Sequence, residues 1–589
     1  MPSNSNSKGN WHLKKLGQYL LPYWQKSALG IVALLLVNWL GVSIPLLIRD
    51  GIDELQVTFS FEKVASYAIF VFVLASLMWV IRMGSRLLIF SVGRQVEFDL
   101  KQQIFEHLLL MEPSYFATNT VGELISRATS DVDNIRRLLG FAVLSLANTL
   151  FAYALTIPVM LSLNVRLTVF ALAIYPVMLI LVWLFSDRLR YQQLQVQEAT
   201  SRLSDLIQED MSGIALVKIY AQEKNESDAF AALTDDLLEA NLALARTRTT
   251  LFPLLGGLAS ISLLLILATG AGIIADGLLT VGDFVAMVLY VERLVFPTAL
   301  LGFTLTAYQR GEVSIDRVEA ILTSQPKIAD FTPVHPLPKD AVQGSLESKN
   351  LTYSYPDSRS PALNGVSFII QPGETVAIVG PVGSGKSTLA NALPRLVDID
   401  PGQLFIDGHD ITQIPLTDLR QAIAYVPQES FLFSTTIQNN IRYGDPVAEF
   451  MEVKHAAKLA QIGTEIENFP RQYDTIVGER GITLSGGQRQ RSALARALVV
   501  DAPVVVLDDA LSSVDNQTAT HILQNLKTGT QNQTVIFISH QMGVAALSDR
   551  ILVMDQGRIV QTGTHTQLVQ QRGLYQQLWE QHKLEEVLR

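Results

Sequence analysis

The sequence predicts two parts: an α-helical membrane domain of six spans, then an α/β domain built on a phosphate-binding loop. Three observations predict this. Six long apolar stretches fall before about Tyr308. From Gly344 onward, short apolar strands alternate with helical patterns, as in a domain with a largely parallel sheet. Within that second part, "GPVGSGKST" (Gly380–Thr388) follows a strand and opens a helix.

Composition agrees. Hydrophobic residues make up 49% of the 589 and charged residues only 17%, against about 25% charged in a typical soluble protein. Mean hydropathy is +0.27. The net charge of −10 gives no reason to expect a nucleic-acid partner. There is no cysteine, so disulfides, zinc–thiolate sites and cysteine nucleophiles are excluded. The start, "MPSNSNSKGN", is polar and does not read as a secretory signal.

The first element, residues 1–26, holds "WHLKKLGQYLLPYW" (Trp11–Trp24), with a basic and an apolar face. It is expected to lie along the inner leaflet as an elbow helix. The membrane domain is expected over 27–322. Its apolar cores are Ala28–Leu47, Ala65–Val80, Leu139–Leu163, Leu167–Phe185, Leu254–Ala275 and Phe284–Thr306. Each can reach the roughly 20 residues that cross a bilayer, the second by continuing through Phe90. The links after spans one, three and five are short and poor in Lys and Arg. The links after spans two and four are long, polar and helical in pattern, and they carry Arg94, Arg136, Arg137, Arg188, Arg190, Arg246 and Arg248 among others. By the positive-inside rule both termini and both long links are cytoplasmic. Glu292 and Arg293 fall inside the sixth span; at that depth they are expected to face a cavity or find partners. A Pro-rich linker is expected over 323–343 and the α/β domain over 344–589.

The phosphate loop runs Gly380, Pro381, Val382, Gly383, Ser384, Gly385, and its glycines let backbone N–H groups curl around phosphate oxygens. Lys386, Ser387 and Thr388 open the helix, whose N-terminus adds partial positive charge. Lys386 reaches the β/γ-phosphates and the Ser387 hydroxyl suits Mg²⁺. "VVVLDD" (Val504–Asp509) supplies the matching acid: Asp508 ends a buried strand, where it can hold Mg²⁺. Between them, "LSGGQRQR" (Leu484–Arg491) puts Ser485, Gly486, Gly487 and Gln488 before a helix. The pattern suits a second anion-cradling turn or an ordinary helix cap.

With these motifs in this order the chain resembles an ATP-binding cassette (ABC) exporter half-transporter, one membrane domain fused to one nucleotide-binding domain. The resemblance covers nearly the whole chain. It implies that ATP and Mg²⁺ are the cofactors, and that Ser485–Gln488 serve ATP held by a partner's phosphate loop. A second half-transporter is therefore the expected partner. It further implies adenine stacking by Tyr355, Mg²⁺ and water sensing by Gln428, an exporter-specific contact by Glu479, an interface turn at Ser513 and Asp515, and a γ-phosphate switch at His540. "EPSYFATNTVGELISRATSDV" (Glu112–Val132) and "DMSGIALVKIYAQE" (Asp210–Glu223) resemble the two cytoplasmic loops that dock on nucleotide-binding domains. The implied activity is ATP-driven export of a hydrophobic or amphipathic substrate, drug-like or lipid, across the cell (inner or plasma) membrane.

One residue departs from the family pattern. Most members place glutamate, the residue that polarises the attacking water, where Asp509 stands. Aspartate is shorter by one C–C bond, about 1.5 Å, and a misplacement of about 1 Å can cost on the order of 10²-fold in rate. The expectation is a site that holds ATP and hydrolyses it slowly, as in one subunit of heterodimeric exporters. A homodimer with two slow sites is the alternative assembly. An ATP-gated regulatory or structural membrane subunit is the alternative function.

Overall fold

The computed structural model describes residues 5–588 except 58, 331–334, 338–341, 357, 359, 479, 480, 482 and 530–532. Two compact units result: Met1–Leu109 with Thr120–Ser324, and Leu110–Asn119 with Gln325–Arg589.

Among the described residues the first unit carries six helices long and apolar enough to cross a membrane: Lys14–Val57, Phe61–Leu109, Val121–Leu163, Val165–Ser212, Glu223–Ala275 and Val281–Leu322. They exceed the apolar cores because polar, amphipathic sequence continues the same helices beyond the bilayer. The second span shows the lipid-facing logic: Ile69, Phe72 and Trp79 stand exposed. Where helices meet, several polar groups find partners across the contact, as a bilayer without water favours. Tyr290 donates to the Val42 carbonyl at 2.6 Å, Tyr175 to Val291 at 2.6 Å, and Thr304 to Ser145 at 2.8 Å. Small residues permit the approach; a Cβ on Gly311 would come within 2.8 Å of the Leu138 Cβ.

The helix Ser5–Leu20 is fixed to the far end of the sixth span. His12 contacts Asp316 at 2.8 Å, and buried Glu319 accepts from Lys15 at 2.7 Å and Tyr19 at 2.6 Å. Arg293 does not pair with Glu292. Its guanidinium donates to the Asn38 carbonyl at 2.9 Å and the Asn38 side chain at 3.1 Å, tying span six to span one. Glu292 is exposed. In the second long link, the chain breaks at Gly213 before the short helix Ile214–Ile219. In the first, a six-residue helix forms over Pro113–Thr118, within the second unit.

The second unit holds two sheets. Strands β1 (Leu346–Tyr353), β2 (Leu363–Ile370), β4 (Leu404–Ile406) and β5 (His409–Asp410) make an antiparallel sheet in the order β2-β1-β4-β5. The larger sheet has the order β10-β9-β3-β8-β7-β6. Its strands are β3 (Thr375–Val379), β6 (Ile423–Val426), β7 (Val504–Asp508), β8 (Thr534–Ile538), β9 (Arg550–Asp555) and β10 (Arg558–Gly563). All its pairings are parallel except the β9–β10 hairpin. Both faces are buried. Val505, Leu507, Val535 and Phe537 point into one core; Val504, Val506, Ile536 and Ile538 point into the other. Period-two packing on two apolar faces is why these strands read as continuous hydrophobic runs.

Candidate functional site

The sheet order assembles the site. β3 leads into the phosphate loop, β7 ends in Asp508, and β8 lies between them and leads to His540. Three parallel strands thus deliver their C-terminal ends to one edge, where ligands of open α/β sheets bind.

The loop from Gly380 to Gly385 turns in backbone conformations that favour glycine. Gly383 has φ 80° and Gly385 φ 95°, and a Cβ on Gly385 would collide with the Ala362 carbonyl. Val382 is the exposed tip, 90% accessible, and Ser384 is buried. Lys386 is buried as well, and its ammonium donates to the carbonyls of Gly380 at 2.9 Å and Pro381 at 2.7 Å. Burial lowers the Lys386 pKa against the pull of Asp509 and Asp508. A cation held in this way, inside a curl of backbone at a helix start, fits a polyphosphate.

Ser387 donates to one Asp508 oxygen at 2.9 Å, and Tyr425 approaches the other at 3.4 Å. Burial raises the Asp508 carboxyl, against the hydrogen bonds from Ser387 and Tyr425. Among the described residues no group of three or more His, Cys, Asp or Glu side chains could hold a metal alone. The Ser387–Asp508 pair instead fits Mg²⁺, which keeps waters and takes one or two carboxylates plus substrate phosphates.

Asp509 takes the left-handed region, φ 50°, which aspartate tolerates better than most side chains. Burial raises its carboxyl, and the nearby His540, Lys386 and Ser512 oppose the rise. Tyr355 stands at the side of the loop helix, its hydroxyl 3.2 Å from that of Thr388 and its ring edge-on to Tyr353.

Gln428 and the second glycine turn share a cleft. With Arg489, Gln490, Ser512 and Ser513, Gln428 and Gly486 line a cleft of about 570 Å³. The helix-cap reading of "LSGGQ" is realised at its start. Ser485 caps the helix Gly486–Leu498, accepting from the Gln488 N–H at 3.2 Å, while the Gln488 side chain accepts from the Ser485 N–H at 2.9 Å. A Cβ on Gly487 would come within 2.8 Å of the Ser513 carbonyl, so the turn after Asp509 passes close by. Asp515 caps the next helix, accepting from the Thr518 N–H at 2.9 Å. Glu479 lies outside the described residues.

Three further residues hold these parts together; Gln490 falls inside the quoted "LSGGQRQR" but was given no role there, and no motif announced Arg496 or Glu465. Gln490 donates to the Ser512 hydroxyl at 2.9 Å and accepts from the Ser513 N–H at 2.8 Å. Arg496 donates to the Phe431 and Asn440 carbonyls, each at 2.9 Å. Glu465 accepts from Arg491 at 2.6 Å and Gln488 at 3.0 Å.

Comparison with known proteins agrees with this geometry. Residues 27–298 match the family described as ABC transporter transmembrane region, and residues 363–512 match ABC transporter. The multidrug resistance-like ATP-binding protein MdlA of Escherichia coli (strain K12) is 33% identical over 579 residues, 98% of this chain and 97% of that protein. The probable multidrug resistance ABC transporter ATP-binding/permease protein YheI of Bacillus subtilis (strain 168) is 32% identical over 575 residues, 97% of this chain and 98% of that protein. The structure of a bacterial Atm1-family ABC exporter with ATP bound superposes with a TM-score of 0.78 at 27% identity, covering 95% of this chain and 99% of that one. Six spans, a phosphate loop facing a strand-end acid, and end-to-end likeness to such proteins lead to one conclusion: this multi-pass membrane protein belongs to the ABC exporters, and it is a transport ATPase with its membrane and nucleotide-binding domains on one chain.

Proposed function

We propose that the chain exports hydrophobic or amphipathic molecules, drug-like or lipid, as half of a dimer, and that its own ATP site is slow. The division is 1–26 elbow segment, 27–322 membrane domain, 323–343 linker and 344–589 nucleotide-binding domain. It sits in the cell (inner or plasma) membrane with both termini cytoplasmic. The observation that carries the reading is the end-to-end likeness to two proteins named for multidrug resistance.

Lys386 and the loop N–H groups bind and orient the triphosphate, and Tyr355 offers its ring to the base. Asp509 orients the attacking water. The water oxygen bonds to the γ-phosphorus as the β–γ bridge breaks, releasing ADP and phosphate. Mg²⁺, when bound by Ser387 and Asp508 with Gln428 near, neutralises charge on the phosphates. Gln428 and His540 complete the site around the γ-phosphate, and Ser485–Gln488 serve the partner's ATP. The short side chain of Asp509 supports slowness, since it reaches about 1.5 Å less far toward water than glutamate would. A heterodimer with a glutamate-bearing partner is favoured. The test is ATP-dependent uptake of an amphipathic dye into inside-out vesicles. Uptake that stops without hydrolysable ATP is expected. ATP binding with no ATP-driven movement of any amphipath would leave the ATP-gated subunit instead.

A further inference from the structure

The first unit contains a cavity of about 580 Å³ between spans three, four, five and six, and its lining is cationic. Arg137, Arg190, Arg248 and Arg310 all face it, with Phe141 and Phe303, and no carboxylate lines it. Arg137 has Asp133 at 2.7 Å and Arg190 has Asp187 at 3.6 Å. Among the described residues, Arg248 and Arg310 have no carboxylate within ion-pairing distance. The adjoining recess holds one acid, buried Asp131, already bonded to Ser314 at 2.8 Å and paired with Arg317 at 3.3 Å.

The positive-inside rule explains arginines at the cytoplasmic ends of spans. It does not explain why four from separate spans converge on one hollow rather than spread toward headgroups. The arrangement is also polarised. Phe303 precedes Arg310 by seven residues, about 10 Å along a helix, and Phe141 follows Arg137 by four, about 6 Å. Spans three and six run in opposite directions, so both aromatics lie to the membrane side of their arginines. The third span widens into π turns at Arg127–Asp131 and Leu138–Ala142, on either side of Arg137, a feature frequent at functional sites. Glu292 is 18 residues from Arg310, about 27 Å away along the helix, too far to neutralise it.

We propose that this cavity is the loading site for an amphipathic anion, with a phosphate or carboxylate head on the arginines and an apolar body against Phe141 and Phe303. The volume suits one such molecule, and guanidinium groups pair bidentately with both heads. This rests on the export reading and narrows its substrate class. The same chemistry is offered by a soluble anionic conjugate or by a lipid with a phosphate headgroup.

The experiment uses the full chain in phosphatidylcholine nanodiscs, with decyl phosphate as probe and decyltrimethylammonium as its cationic counterpart. Decyl phosphate is expected to bind and the cation not to compete. Arg248→Gln with Arg310→Gln should weaken the probe roughly tenfold per guanidinium removed, and Arg248→Lys with Arg310→Lys should restore most of it. Unchanged thermal unfolding guards against misfolding of the Gln variant. Discs containing phosphatidic acid identify the source: competition with the probe marks a lipid, and its absence a soluble anion. Equal binding of the cation, or full probe affinity in the Gln variant, overturns the proposal. Arginine-dependent binding without ATP-driven uptake of any amphipath would sink the export reading and leave the site. Uptake of cationic amphipaths untouched by the Gln variant would do the reverse.

Discussion

At Asp509, side-chain length and backbone conformation pull in different directions. The left-handed backbone, φ 50°, suits aspartate, and glutamate there would cost about 1 kcal/mol. Yet the longer side chain would regain about 1.5 Å of reach toward water. Asp509→Glu should therefore lower the thermal midpoint slightly and raise ATP turnover, by up to about 10²-fold, as steady-state ATPase assays would read. Lys386 makes the simpler prediction. Its ammonium rests on the Gly380 and Pro381 carbonyls, ready for phosphate. Lys386→Ala should weaken nucleotide binding roughly 10- to 100-fold, the worth of one to two charge-assisted contacts, and unchanged affinity would put the site elsewhere. Both residues could be found from sequence because their motifs are contiguous. Arg496 and Gln490 could not, because a side chain bonding to backbone 65 or 23 residues away leaves no periodic trace.

The helix Gly486–Leu498 is the element on which the site's second half depends, and Glu465 anchors its start. Burial alone would raise the Glu465 carboxyl, but hydrogen bonds from Arg491 and Gln488 outweigh it and hold the group below its ordinary range. A carboxyl lowered in the folded state stabilises above its unfolded pKa, near 4.3–4.5, and that contribution is lost as pH falls through the folded value. Glu465→Gln should thus lower the thermal midpoint at neutral pH, and the gap from the wild type should narrow as pH falls below the unfolded pKa and close below the lower folded one. A gap that persists unchanged at acid pH would mean that the charge on Glu465 is not what anchors the helix. Elements differ in how openly the sequence announces them. The spans were legible because lipid demands apolar runs. Their polar extensions were legible as helical pattern, but where each span ends and its extension begins was not, since the same helix runs on without a break, as in the second span reaching Leu109. The parallel strands were legible from double-sided burial. The antiparallel sheet was not, because β1 and β2 alternate buried and exposed positions irregularly.

For the whole molecule, the question is how many working ATP sites an assembly contains. One phosphate loop and one "LSGGQ" turn per chain, in separate places on the second unit, suit a two-chain assembly in which each site borrows from both chains. If the partner carries glutamate at its own version of position 509, the Ser485–Gln488 turn of this chain completes the competent site. Asp509→Asn would then change turnover little, while Ser485→Ala would cut it severely. In a homodimer both sites would use Asp509, so Asp509→Asn and Ser485→Ala would each abolish activity. The experiment is to purify the chain alone and with a candidate partner, then compare ATPase rates for the wild type and both variants. A heterodimer predicts feeble turnover by the chain alone, robust turnover by the pair, and sensitivity to Ser485→Ala but not to Asp509→Asn. Robust turnover by the chain alone, lost on Asp509→Asn, would show aspartate working as the base in a homodimer and would end the slow-site reading.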